Sequence, residues 1–151
     1  MEKMTTRKMI QSVIVPLLVS ALIHIFALSV FIFDIFRILP ELFGVLIVLI
    51  SIFVYPMAPI FYGSQTKDRL GSIIVGTVPT LCLFYELHLS SFIAGNIPET
   101  ERIIDIFTYF GSLIIIGGLE GYYASKEKIE SLIIAIVFAI FWISIFLNGL
   151  D

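Results

Sequence analysis

Five long apolar runs are the sequence feature that most limits how this chain can fold. Each is long enough for a membrane-spanning helix, which needs roughly 20 predominantly apolar residues. Short polar segments separate the runs, so consecutive helices are expected to be antiparallel neighbours. The sequence therefore predicts an all-α, polytopic integral membrane protein, a bundle of five transmembrane helices at about 9–33, 42–62, 70–94, 103–123 and 129–147.

Composition excludes a soluble domain of ordinary kind. The chain is 59% hydrophobic and only 14% charged, whereas about a quarter of the residues in soluble domains are charged. Isoleucine and valine are abundant, but barrel strands are segments of about 10 alternating residues, and a helix in lipid satisfies its own backbone. We expect a single transmembrane domain over residues 1–151, located in the cell membrane as a multi-pass protein with the lipid bilayer around it.

The N-terminal segment MEKMTTRKMIQ is basic and precedes an apolar run, as in a signal peptide. The apolar region of a signal peptide is about 7–15 residues long, and the run 9–33 exceeds that length. This run is therefore predicted to be a retained first membrane helix.

The basic residues predict the orientation of the bundle. Five spans place seven of the nine Lys and Arg residues on the N-terminal side of the membrane, and the positive-inside rule assigns that side to the cytoplasm. The N-terminus is then cytoplasmic and the C-terminus outside. The seven are Lys3, Arg7, Lys8, Lys67, Arg69, Lys126 and Lys128, and the other two are Arg37 and Arg102.

A four-span arrangement is the alternative topology. It would make the second apolar run re-entrant, because Pro56 and Pro59 lie in its inner half. Proline removes a backbone donor and bends or ends a helix. That topology would place the C-terminus inside and weaken the charge asymmetry.

Small residues recur at helical spacing on each predicted span. Helices in lipid associate through close packing of such residues. The most distinct examples are Ser72, Gly76 and Thr80 on the third span and the pair Gly117 and Gly121 on the fourth. These stripes predict helix contacts within one bundle, or an interface with other copies of the chain or with other membrane subunits.

Five ionisable residues fall within the spans: His24, Glu86, His88, Asp105 and Glu120. A charge at the centre of a bilayer costs roughly 2.5–3.5 kcal/mol on insertion scales. Such groups usually face protein or water, so all five are candidate functional residues.

Glu86 is the leading candidate for binding a proton. It lies on the side of its helix that carries Ser72, Pro79 and Ser90, ~6 Å to the outer side of the span midpoint. His24 has a similar depth and is predicted to pair with it as a histidine–carboxylate relay. The alternative for both residues is a structural hydrogen bond between helices.

His88 is predicted to belong to a different surface. On a regular helix it lies about 160° around from Glu86, so the two side chains are not expected to serve one site. His88 is close to the outer boundary, and an interfacial imidazole is its simplest role.

The fourth span carries the other two acids. Asp105 is expected to be a helix-start acid near the outer interface. Glu120 lies near the inner interface, where it is expected to snorkel to the surface or to pair with Lys126 or Lys128. Together with Tyr109 and Ser112 on the same half of the helix, these acids would form a polar track across the membrane.

Three classes of function are compatible with these residues. The first is a small transporter or ion-translocating protein, expected to be a homo-oligomer, with Glu86 as the coupling carboxylate. The second is a non-catalytic accessory subunit of a larger membrane complex. The third is a membrane-embedded redox or lipid-modifying enzyme, in which His24 and His88 would be axial ligands of a b-type haem.

Other partners and activities have no support in the sequence. Motifs with HExxH, GxSxG or P-loop spacing are absent, so neither a resident metal nor hydrolase chemistry is predicted. No basic run suggests a nucleic-acid partner. An enzymatic function is therefore less expected than a transport or subunit role.

Overall fold

The computed structural model describes the backbone of residues 9–32, 41–96 and 98–149, and the side chains of these residues except 29–32 and 41–48. Its long elements are five helices. Helix α1 is Val15–Ile32, preceded by a π-helical turn Ile10–Ile14; α2 is Glu41–Thr66; α3 is Arg69–Phe84, followed by a π-helical turn Tyr85–Leu89 and a last turn Ser90–Ile93; α4 is Thr100–Ala124; and α5 is Ile129–Asn148.

These bounds agree with the predicted runs to within a few residues at each end. The helices end where the backbone turns out of the helical region: Lys67 after α2 has φ 55°, and Gly95 after α3 has φ 88°. Glycine adopts that conformation without steric cost, so the GN dipeptide after the third run is a natural stop.

The protein is an all-α helical membrane bundle. Four of the described helical segments are long and apolar enough to cross a bilayer: Ile10–Leu28, Arg69–Ile93, Thr100–Ala124 and Ile129–Asn148. Their outward surfaces carry large apolar side chains such as Leu22, Ile115 and Ile129. In water this surface would be unfavourable, and in lipid it is the expected one.

Helix α2 bears on the count of spans. Its 26 residues correspond to about 39 Å at 1.5 Å per residue, and it runs unbroken through Pro56 and Pro59. Both prolines are fully buried, so neighbouring helices cover the bend-prone part. This geometry favours a span over a re-entrant segment, and the total of five spans stays a prediction.

The orientation also stays a prediction, and part of its basis, Lys3, Arg7, Lys8 and Arg37, lies outside the described residues. The described part shows that two predicted inner links share one end of the bundle. A side chain at Gly63 would contact Ala124, which brings together the links that carry Lys67 and Lys126.

Helices α3 and α4 form the most extensive interface of the bundle. A Cβ added at Gly76 would overlap the Gly117 carbonyl, and one at Gly121 would overlap the Ser72 carbonyl. Backbone therefore meets backbone, which is how small residues promote helix association in lipid. The predicted stripes of the third and fourth spans face each other inside the bundle.

An aromatic core lies beside this interface. Ala27, Tyr55, Leu113 and Trp142 form one buried cluster. The rings of Tyr55 and Trp142 stack with centroids 5.7 Å apart, and Trp142 stacks in turn on Phe146 at 5.2 Å. This stack ties α2 to α5.

The glycine contact predicts a position-specific loss of stability. Gly117→Ala is expected to force α3 and α4 apart and to destabilise the bundle by about 1–3 kcal/mol, the usual cost of overpacking. Gly111→Ala on the same helix is the matched control, because a Cβ there has no neighbour within 4 Å. Thermal unfolding in detergent measures both variants; equal melting temperatures would contradict the close contact.

Candidate functional site

A chain of hydrogen bonds joins three helices in the outer half of the predicted membrane region. Nε2 of His24 on α1 lies 3.0 Å from Oε1 of Glu86 in the π-helical turn of α3. Nδ1 of the same ring lies 3.2 Å from the hydroxyl oxygen of Tyr55 on α2. The predicted contact between Glu86 and His24 is therefore confirmed.

Tyr55 is a member of the chain that the sequence analysis did not identify. Its signal in the sequence is its position one helical turn from Ser51, on the side of α2 that also carries small residues. Its ring is held by the stack on Trp142. The hydroxyl is thereby fixed at the His24 ring.

The chain can accommodate a proton in more than one place. When Glu86 is ionised it only accepts hydrogen bonds, so Nε2 of His24 must donate, and Nδ1 of the neutral ring accepts from the Tyr55 hydroxyl. When the ring is cationic, both nitrogens donate and the Tyr55 oxygen accepts. Both distances lie within or at the edge of the normal hydrogen-bond range in either state.

Exposure differs sharply between the two partners. The His24 side chain is 9% exposed and that of Glu86 is 38% exposed. The imidazole is therefore enclosed by protein, while the carboxylate also faces open space.

Glu86 and His88 both lie in the π-helical turn Tyr85–Leu89. A π-helical turn widens the helix locally and is frequent at functional sites. Both side chains line one cavity, but they contact different helices: Glu86 bonds to His24 of α1, and His88 packs on Phe110 of α4. That the two side chains do not serve one site stays a prediction.

The cavity has a volume of about 700 Å³, within the usual range of roughly 300–1,000 Å³ for small-molecule sites. All five helices contribute to its wall. Most of the wall is aliphatic or aromatic, and the polar side chains are few. They are Ser51, Tyr55, Glu86, His88, Arg102, Asp105 and Tyr109.

Asp105 and Arg102 enter the site from α4. Asp105 is the sixth residue of α4, so it lies beyond the first turn of the helix. Its side chain lines the cavity. Arg102 was not among the predicted site residues. Its signal is the spacing of three from Asp105, which places both side chains on one surface of the helix.

His88 packs among aromatic rings, with centroid distances of 6.4 Å to Phe84 and 5.4 Å to Phe110. His24 already uses both ring nitrogens. To serve as an axial haem ligand, His24 would have to give up one of these bonds. Among the described residues, no group of three or more His, Cys, Asp or Glu side chains could hold a metal ion.

Glu120 differs most from its prediction. It is fully buried, and neither carboxyl oxygen has a hydrogen-bond partner in the described part of the chain. The prediction that it snorkels or pairs with Lys126 or Lys128 is wrong. Glu120 lies on the packed side of α4, and the Lys126 ammonium sits over the Tyr122 ring at 4.3 Å.

Glu120 and Glu86 are well separated along the bundle. Gly121 lies against Ser72, so Glu120 is level with about residue 73 of α3. Glu86 is about 13 residues further along α3, a rise of roughly 20 Å. Glu120 is outside the cavity, so the predicted polar track from Asp105 to Glu120 is interrupted in this conformation.

Comparison of the chain with protein families, curated proteins and solved structures gives no match. Function is therefore argued from two features of the site. One is the hydrogen-bonded chain from Glu86 to Tyr55, and the other is the cavity that Glu86 faces.

The burial of Glu120 predicts its protonation state. An ionised carboxylate without a partner is very costly inside a protein, so Glu120 is expected to be a neutral acid at pH 7. Infrared difference spectra between wild type and Glu120→Gln should show the carbonyl band of a protonated carboxylic acid. Glu130→Gln, at the exposed start of α5, should show only carboxylate bands; a carboxylate signal for Glu120 would contradict the assignment.

Proposed function

We propose that the protein is a small transporter or ion-translocating protein in which Glu86 is the coupling carboxylate and His24 its proton partner. The observation that carries this proposal is the contact of 3.0 Å between them at the wall of a cavity of about 700 Å³. A carboxylate that is open to a cavity and bonded to a buried imidazole can exchange its proton for another cation. That exchange is the elementary step of proton-coupled transport.

Tyr55 and His24 have a supporting role in this step. Because the His24 ring is bonded on both sides, it keeps one orientation while Glu86 gains or loses a proton. The ring can also accept the proton itself, since His24 and Tyr55 can exchange donor and acceptor roles. The pair thus stabilises Glu86 in each charge state.

Asp105 and Glu120 are proposed as groups at the entry and exit of the path. Asp105 already lines the cavity. Glu120 is enclosed behind the contact of α3 with α4, so reaching it requires a second conformation in which this region opens. The described state is then the one in which Glu86 has access and Glu120 is closed off.

The packing of small residues supports this proposal over an accessory-subunit role. Stripes of small residues were one reason to expect a larger complex, beside the lack of any functional signature, and the two most distinct stripes are used inside the bundle. Large apolar side chains dominate the outward surface of the described helices. A homo-oligomer remains a prediction that these contacts do not require.

Glu86→Gln tests the coupling role directly. Glutamine preserves the size of the side chain and a hydrogen bond to His24, but it cannot bind or release a proton at neutral pH. Proton flux into proteoliposomes, driven by a potassium diffusion potential and followed with an internal pH dye, is expected to fall at least about ten-fold, equivalent to about 1.4 kcal/mol. Glu130→Gln should keep full flux, and undiminished flux in Glu86→Gln would remove Glu86 from the mechanism.

Tyr55→Phe tests the buried end of the chain. It removes the hydroxyl at His24 Nδ1 and keeps the ring that stacks on Trp142. A net hydrogen bond contributes about 0.5–1.5 kcal/mol, so flux should fall roughly two- to ten-fold, less than in Glu86→Gln. The same proteoliposome assay measures the change, with thermal unfolding as a check of folding; wild-type flux would show that the hydroxyl has no part in the step.

A further inference from the structure

We propose that the cavity binds a lipophilic organic monocation, with an apolar body and one positive charge, and that this ligand and a proton compete for Glu86. The inference rests on the proposed function, because it names the substrate class of the same site. Three properties of the cavity support it: the apolar wall, the balance of charge and the free side of the Glu86 carboxylate.

The wall selects for an apolar body. Side chains such as Leu83, Leu87, Ile106 and Phe146 face the cavity. Covering them with an apolar ligand is favourable by roughly 25 cal/mol per Å². A small hydrated ion gains nothing from such a wall and has few polar side chains to replace its water.

The charged side chains of the wall leave one negative charge unbalanced. Glu86, Asp105 and Arg102 are the ionised groups that line the cavity when the imidazoles are neutral, and their formal charges add to −1. Arg102 and Asp105 are three residues apart on α4 and therefore neighbours on its surface. Their formal charges cancel in the sum, and Glu86 is the carboxylate left to attract a cation.

Glu86 also has room for a ligand. The hydrogen bond from His24 is to Oε1, and more than a third of the Glu86 side chain is exposed. The second oxygen is the atom that would meet an N–H donor or the positive surface of a quaternary ion. The ring of Tyr55, which lines the same cavity, can add a cation–π contact.

Protonation of Glu86 would cancel this attraction. The titratable or charged groups around Glu86 come from four helices: His24 of α1, Tyr55 of α2, Cys82 of α3 with His88 in the turn that follows it, and Arg102 and Asp105 of α4. Helix α5 and the residue after it contribute Phe146 and Gly149 to the wall. With Glu86 neutral, the formal charge of the wall becomes zero. Binding of the cation and binding of the proton at Glu86 are therefore mutually exclusive.

Tetraphenylphosphonium is a suitable probe for purified full-length protein in detergent. The chain has one tryptophan, Trp142, which stacks on Tyr55 at the cavity wall, so its fluorescence reports occupancy. We expect saturable binding that tightens with rising pH until Glu86 is ionised. Calorimetry in two buffers of different ionisation enthalpy should show release of up to one proton per ligand when binding starts from the protonated state.

Three comparisons make the test specific. Glu86→Gln should weaken binding at least ten-fold at high pH and abolish proton release, while Glu130→Gln should match wild type. Tetraphenylborate has the same shape and the opposite charge and should bind far more weakly. Equal binding of the two ions, or unchanged binding to Glu86→Gln, would overturn the proposal.

A second variant keeps the proposal testable if Glu86→Gln does not fold. Ile106→Trp fills the cavity from α4 without altering its charge, and it should weaken binding of tetraphenylphosphonium. Binding unaffected by this change would place the probe elsewhere and reject the site.

The outcome also separates this inference from the proposed function. Binding that depends on Glu86, in a protein that shows no proton flux in proteoliposomes either with or without tetraphenylphosphonium, would support the cation site and reject transport. Proton flux that depends on Glu86, without phosphonium binding, would support translocation and reject the organic cation as substrate.

Discussion

The backbone contact between α3 and α4 is the constraint on which the rest of the structure depends. In lipid there is no hydrophobic force to drive helices together, so association relies on close packing. Gly76 and Gly117 allow the two backbones to touch. That contact sets the position of Glu86 on α3 relative to Arg102 and Asp105 on α4, and it encloses Glu120 on its packed side.

The polar chain is the second consequence of the same solvent. A polar group buried away from water must find a partner or lose its charge. His24 finds two partners, Glu86 and Tyr55, and the chain links α1, α2 and α3. Glu120 finds none in the described part of the chain. The two acids therefore differ in their surroundings: Glu86 bonds to an imidazole at the wall of a cavity, and Glu120 is enclosed among packed helices.

Much of the fold was predictable because a membrane imposes simple rules. The helices could be located from the length of apolar runs, and the glycine faces of α3 and α4 from their spacing. The similar predicted depth of Glu86 and His24 in the membrane was enough to pair them, because polar side chains inside a membrane need hydrogen-bond partners. Arg102 was missed because an arginine near a predicted membrane boundary has an ordinary interfacial role. Tyr55 was missed because a tyrosine on the small-residue side of a helix has an ordinary packing role.

The amino-acid sequence by itself determined the helical membrane bundle, the helix limits and the residues able to carry chemistry, because these follow from local apolarity and residue type. Only the tertiary structure decided which of them meet. Helix packing brings Glu86 to His24 on one side and His88 to Phe110 on the other, and it separates Glu120 from the lysines expected to pair with it. Both results depend on the rotation and spacing of neighbouring helices, which no single helix encodes.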